Sequence, residues 1–170
     1  VCVGKPLNLT STAGIGISSY SWTGPNGYTS TAQNPIVTSS GLLGAGTYSV
    51  ILTQNGCAST SSNVIVNINP APTTSASSNS PICAGADLNL TSNAGTGTPT
   101  YSWTGPNGFT STLQNPVITA ATTADAGTYS VTLTENGCTS AATSTNVTLR
   151  PIPTTTAGSN GAVCAGGNIN

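Results

Sequence analysis

The sequence predicts an all-β protein made of a repeated β-sandwich. Three observations carry this: an internal period of 81 residues, short segments rich in Val, Ile, Thr and Tyr with apolar residues at alternate positions, and Gly, Pro and Asn clusters between those segments. Offset by 81 residues, the chain superposes Cys2 on Cys83, Trp22 on Trp103, Tyr48 on Tyr129 and Cys57 on Cys138 without a gap. Residues 1–81 and 82–162 are identical at 45 of 81 positions. Val163 to Asn170 begin the same motif again, with Cys164 in the place of Cys2 and Cys83. The expectation is a segment of a longer array of like units.

Each period reads as six to seven strands. Leu88-Asn-Leu90-Thr, Tyr101-Ser-Trp103, Gly127-Thr-Tyr129-Ser-Val131-Thr-Leu133 and Val147-Thr-Leu149 put an apolar side chain at every second position, which a half-buried strand requires. No segment has a helical period. Asn136-Gly137 and its copy Asn55-Gly56 suit a two-residue hairpin, which needs positive φ at both positions. Gly105 to Gly108 and Gly24 to Gly27, both Gly-Pro-Asn-Gly, predict a second tight turn after the tryptophan strand. Proline cannot continue a central ladder, so Pro70-Ala-Pro72 and Pro151-Ile-Pro153 mark the joints. The expected organisation is a first unit at 1–71 lacking its opening strand, a complete unit at 72–152, and the start of a third at 153–170.

Asp125-Ala-Gly127-Thr-Tyr129-Ser-Val131 resembles the tyrosine corner of immunoglobulin domains, with Trp103 where their buried tryptophan stands. Leu90 and Val131 fall near the positions of the two inter-sheet cysteines, so aliphatic side chains replace that bridge. The first copy has Gly44 in place of Asp125, and a slightly weaker corner is expected there. Through Tyr-Ser-Trp-Thr-Gly-Pro-Asn-Gly, Ala-Gly-Thr-Tyr and Asn-Gly-Cys, the whole unit is similar to the immunoglobulin-like repeats of large secreted surface and gliding-associated adhesins of Bacteroidetes-type bacteria. The resemblance implies tandem immunoglobulin-like sandwiches in a surface protein. It does not by itself assign a function.

Charge is almost absent: two basic and three acidic side chains give a formal net charge of −1. Lys5 and Arg150 cannot make a basic stripe, so neither nucleic acid nor an anionic membrane surface is an expected partner. No apolar run approaches the 18 or so residues of a membrane-spanning helix. Catalysis would need a nucleophile with its base or paired carboxylates. The chain has no histidine, and Asp87, Asp125 and Glu135 become Pro6, Gly44 and Gln54 in the first copy. No catalytic residue, metal ligand or cofactor is assigned. Asp125 is read as part of the corner turn, Asp87 and Glu135 as solvated loop charges.

Five cysteines without a C-x-x-C spacing point to disulfides in an oxidising compartment, hence a secreted or cell-surface address. Connectivity does not follow from sequence alone, but a pairing must be valid in every copy. The simplest is Cys2 with Cys57 and Cys83 with Cys138, leaving the partner of Cys164 outside the chain. Each bridge would contribute about 4 kcal/mol by the chain-entropy treatment.

The expected function is non-enzymatic: a semi-rigid, disulfide-stapled stalk in an extracellular adhesin or filament, with neighbouring units of the same fibre as partners. Trp22 and Trp103, in mid-strand, are read as core. Tyr28 and Phe109, just after the turn, are the candidates for exposed ligand contacts, and they carry the alternative of a module binding surface glycans or proteins. A further alternative is a filament built by strand exchange, in which residues 153–162 of one chain complete the first unit of the next.

Overall fold

The structure, a computed structural model, describes residues 1–12, 16–38 and 41–158, with backbone alone at Ile17 and Ser18. Among these residues the chain is strand and turn, with four single-turn 3-10 segments. The first unit contains β1 (Leu7–Asn8), β2 (Ile17–Thr23), β3 (Thr29–Ser30), β4 (Ile36–Val37), β5 (Gly46–Gln54), β6 (Cys57–Ala58) and β7 (Ser62–Val66). The second contains β8 (Ser77–Ser78), β9 (Ile82–Cys83), β10 (Leu88–Thr91), β11 (Thr100–Thr104), β12 (Thr110–Ser111), β13 (Val117–Ile118), β14 (Gly127–Glu135), β15 (Cys138–Thr139), β16 (Thr143–Val147) and β17 (Leu149–Arg150). Among the described residues the seven strands of the first unit match the expected six to seven, and the ten of the second exceed it because several ladders are only two residues long, broken where the chain passes from one sheet to the other.

In the second unit a five-stranded sheet runs β12-β11-β14-β15, with β16 also paired to β14. The facing sheet is β13-β10-β8. Alternation sorts the side chains: Leu88 and Leu90 of β10, Tyr101 and Trp103 of β11, and Tyr129, Val131 and Leu133 of β14 point into the core, while Asn89, Thr91, Ser102 and Thr104 face solvent. Each such burial stabilises the unit by about 1.5–3 kcal/mol. The first unit repeats the plan with Leu7, Leu9, Trp22, Tyr48, Val50, Val66 and Ile68. Both tryptophans belong to the core, as their mid-strand positions predicted.

The first unit is the less completely packed. Leu133 is fully buried, whereas its counterpart Leu52 is half-buried. Trp103 Nε1 donates to the Gln114 carbonyl at 3.3 Å, while Trp22 Nε1 is buried with no partner among the described residues. In the second unit β10 is paired on both sides, by β13 and β8; among the described residues of the first, β1 pairs with β4.

Turn chemistry follows sequence closely. Asn136 and Gly137 have φ of 50° and 75°, Asn55 and Gly56 of 49° and 83°, and the hairpins they close bring Cys138 opposite Glu135 and Cys57 opposite Gln54. At the Gly-Pro-Asn-Gly turns, a Cβ on Gly105 would lie 2.4 Å from the Tyr129 ring, and one on Gly24 2.4 Å from Tyr48. Only glycine allows the turn to lie on the tyrosine.

Strand direction gives each unit two distinct ends. Along β14, Gly127 is opposite Val147 and Glu135 is opposite Cys138. The β14–β15 hairpin with Cys138 is therefore one end, called the top. β9 runs parallel to β17 and pairs Cys83 with Arg150, three residues beyond Val147. Cys83 is therefore at the base.

Candidate functional site at the joint between the two units

Cys2 sits at the base of the first unit, held in a parallel bridge with Asn69 that repeats the pairing of Cys83 with Arg150. Val3 N–H donates to the Asn69 carbonyl at 2.9 Å and Asn69 N–H to the Val1 carbonyl at 2.8 Å. Against this base stands the top of the second unit. Cys2 and Cys138 form a disulfide, with their Cα atoms 5.6 Å apart. Asn69 Nδ2 donates to the Asn136 carbonyl at 3.3 Å, and the Cys2 sulfur lies 3.4 Å from the Gly137 carbonyl oxygen.

The expected bridges Cys2–Cys57 and Cys83–Cys138 do not form. The reason is the direction of the strands. Base and top are separated by at least the length of β14, roughly 27 Å at about 3.4 Å per residue. A disulfide requires Cα atoms within about 7 Å. No bridge between those positions can close within one sandwich, whereas the base of one unit and the top of the next meet directly. Cys57 and Cys83 are free and exposed. Cys164 lies outside the described residues.

Beside the disulfide, the linker and the second unit enclose an open cleft of about 320 Å³, whose walls include Pro70, Pro72, Asn93 and Glu135. Asn93 fixes the linker: its Nδ2 donates to the Thr73 carbonyl at 3.1 Å and its Oδ1 accepts from Ser75 N–H at 2.7 Å. The joint is thus a covalent bond flanked by polar contacts and two prolines.

Tyr28 and Phe109 do not stand out as exposed aromatics. Both are half-buried and pack edge-on against the corner tyrosines, Tyr28 on Tyr48 with ring centroids 5.5 Å apart and Phe109 on Tyr129 at 5.4 Å. Their position after the turn suggested exposure, but the close approach of Gly24 and Gly105 to those tyrosines lays the following ring on the core.

The corner itself is present in both units. Tyr129 Oη donates to the Asp125 carbonyl at 2.9 Å and Tyr48 Oη to the Gly44 carbonyl at 3.0 Å. The acceptor is backbone, so losing the aspartate side chain does not lengthen the bond appreciably. Asp125 instead caps its own turn: Thr122 N–H and Thr122 Oγ1 each donate to Oδ2 at 2.8 Å. These hydrogen bonds hold its carboxyl below the usual carboxylate range. Burial pushes both corner phenols up.

The other acids are also engaged. Asp87 Oδ1 accepts from Ala120 N–H at 3.0 Å, and Glu135 Oε1 from Thr96 Oγ1 at 2.7 Å. They are loop ties more than the solvated charges expected. Among the described residues no three His, Cys, Asp or Glu side chains gather as a metal site would need, and no helix is long and apolar enough to cross a membrane.

No protein-family model matches the chain, and no curated protein matches it. Solved structures do. A chain from the crystal structure of the mouse coronavirus receptor-binding domain complexed with its murine receptor is similar with a TM-score of 0.53 and 12% identity, over 88% of this chain and 95% of that one. Murine CEACAM1b is similar at 0.49 and 12%, over 89% and 95%, and the amphioxus IgVJ-C2 molecule at 0.41 and 20%, over 87% and 99%. At such identities the likeness concerns fold alone. With two facing sheets, a tryptophan and a corner tyrosine at the centre, and a parallel pairing of opening and closing strands, the chain has an all-β, immunoglobulin-like fold.

Proposed function

We propose that the chain is a stalk segment of an extracellular adhesin or cell-surface filament of bacterial type, with units at 1–71 and 72–152 and the beginning of a third at 153–170. The observation that supports this reading is the Cys2–Cys138 bond, which ties the base of one unit to the top of the next and so opposes bending where a tandem array is weakest. Pro70 and Pro72 in the linker stiffen the same point. Asp87, Asp125 and Glu135 each accept hydrogen bonds that tie down turns and loops. Neighbouring units are the expected partners, and an oxidising, extracellular setting suits an inter-unit disulfide.

Small-angle X-ray scattering of the oxidised chain tests this. The stalk reading expects a rod about two sandwiches long, each roughly 30–40 Å by strand length plus turns. Reduction or a Cys2→Ser substitution is expected to broaden the distance distribution through hinging at 70–72. A compact or equally hinged profile with the bond intact would overturn the reading.

A further inference from the structure

The bond between Cys2 and Cys138 spans a sequence separation of 136 and makes a covalent shortcut past everything between them. Residues 3–137 hold β1 to β14 and the linker with Pro70 and Pro72. Beyond Cys138 the chain makes one passage of the second unit, from β15 at the top, along β16 beside β14, to β17 against β9 at the base. A pull applied ahead of Cys2 and beyond Arg150 therefore crosses one Sγ–Sγ bond and then follows residues 138–150 alone.

We propose that the Cys2–Cys138 bond is a tension strap, which carries a pull along the chain from the base of the first unit straight to the top of the second and keeps the segment from lengthening by unfolding. The core of the first unit lies wholly outside that path. The core of the second contributes only Val147 and Leu149 to it, while Leu88, Leu90, Tyr101, Trp103, Tyr129, Val131 and Leu133 are bypassed.

The passage that does carry the pull has little slack. β16 and β17 are already strands, which rise about 3.4 Å per residue against a limit of about 3.6 Å for a fully drawn chain. The passage is also pinned along its length. Ser140 N–H donates to the Leu133 carbonyl at 2.8 Å, and Ser140 Oγ accepts from Leu133 N–H at 3.0 Å. β16 pairs with β14 from Val131 opposite Thr143 to Gly127 opposite Val147, and the Ser130 and Ser144 hydroxyls lie 2.8 Å apart across that ladder. Thr148 N–H donates to Ser80 Oγ at 2.7 Å, and Ala84 N–H to the Arg150 carbonyl at 2.8 Å. Without the bond the same pull runs through every residue of both units, and unfolding adds the enclosed contour, about 490 Å at full extension.

This inference deepens the stalk reading and rests on it for the load: the joint that opposes bending also opposes stretching. Optical tweezers test it on the whole chain carrying Cys57→Ser, Cys83→Ser and Cys164→Ser, so that Cys2 and Cys138 are the cysteines left, with DNA handles ligated to the two termini. Oxidised molecules are expected to lengthen by no more than residues 139–170 can release, about 115 Å at full extension. When dithiothreitol is flowed in, the same molecules are expected to show unfolding steps that add about 490 Å. Adding Cys2→Ser to this chain is expected to give those steps from the start. Long steps before the reductant would overturn the proposal, and so would a reduced chain that lengthens no further than the oxidised one. If the long steps came early while the oxidised chain still scattered as a stiff rod, the strap would fall and the stalk reading would stand. If they were absent while the oxidised chain hinged at 70–72 in scattering, the strap would stand and the stalk reading would fall.

Discussion

Cys2, at the base of the first unit, is bonded to Cys138, at the hairpin tip of the second, at a sequence separation of 136. The bond therefore encloses the whole first unit and most of the second. In the chain-entropy treatment a loop of this length contributes about 5 kcal/mol, an upper figure because the two cores are separate clusters. Cys138→Ser is expected to lower the unfolding free energy by up to that amount, read as a lower urea midpoint at unchanged slope, while both cores still fold. Urea titration followed by tryptophan fluorescence checks it, one tryptophan reporting on each unit. An unchanged midpoint would mean the bond is only a tether between finished units.

The tyrosine corners should be nearly equivalent. Tyr129→Phe and Tyr48→Phe each remove one hydrogen bond to a backbone carbonyl, and each is expected to cost about 1 kcal/mol. Denaturant titration of both variants would show two similar losses. A much larger loss for Tyr129→Phe would mean that the Asp125 side chain takes part in the corner itself.

Stability of the second unit should fall at low pH through Asp125. Its carboxyl is lowered in the folded state by the Thr122 hydrogen bonds, so its contribution is fully present above the unfolded value of about 3.9 and disappears as pH falls through the lower folded value. Asp125→Asn is expected to remove this part of the acid dependence while leaving the first unit, which has Gly44 there, unaffected. Titrations at neutral pH and at successively lower values below 4, monitored unit by unit, would reveal whether the slope survives the substitution.

Two glycines of one turn should behave differently. Gly105→Ala drives a Cβ into the Tyr129 ring and is expected to cost about 3 kcal/mol. Gly108→Ala meets nothing within 4 Å and is expected to cost only the 1–2 kcal/mol of its positive φ, which is 73°. Thermal melts of the pair provide the comparison, and equal losses would contradict the close-packed corner.

Much of the fold was legible because local signals agreed. Period-two alternation marked Leu88 and Leu90, Trp103, Tyr129, Val131 and Leu133 as core, and Asn-Gly with its positive φ marked both cysteine hairpins. The disulfide was not legible. Repeat symmetry requires a pairing to hold in every copy, but a link within a unit and a link to the following unit satisfy that rule equally. Choosing between them needs the direction of β9, whose parallel pairing with β17 places Cys83 at the base, and a two-residue ladder leaves no periodic trace. Phe109 was misplaced for a related reason: its burial depends on a glycine that lies against Tyr129 in space, twenty-four residues away in sequence.

Disulfide mapping of the chain, purified without reductant and with free thiols alkylated before peptic digestion, tests the central claim most directly. A Cys2–Cys138 cross-linked peptide, with neither cysteine found joined to Cys57 or Cys83, is the predicted result. Peptides joining Cys2 to Cys57 and Cys83 to Cys138 would contradict the base-to-top joint and everything built on it.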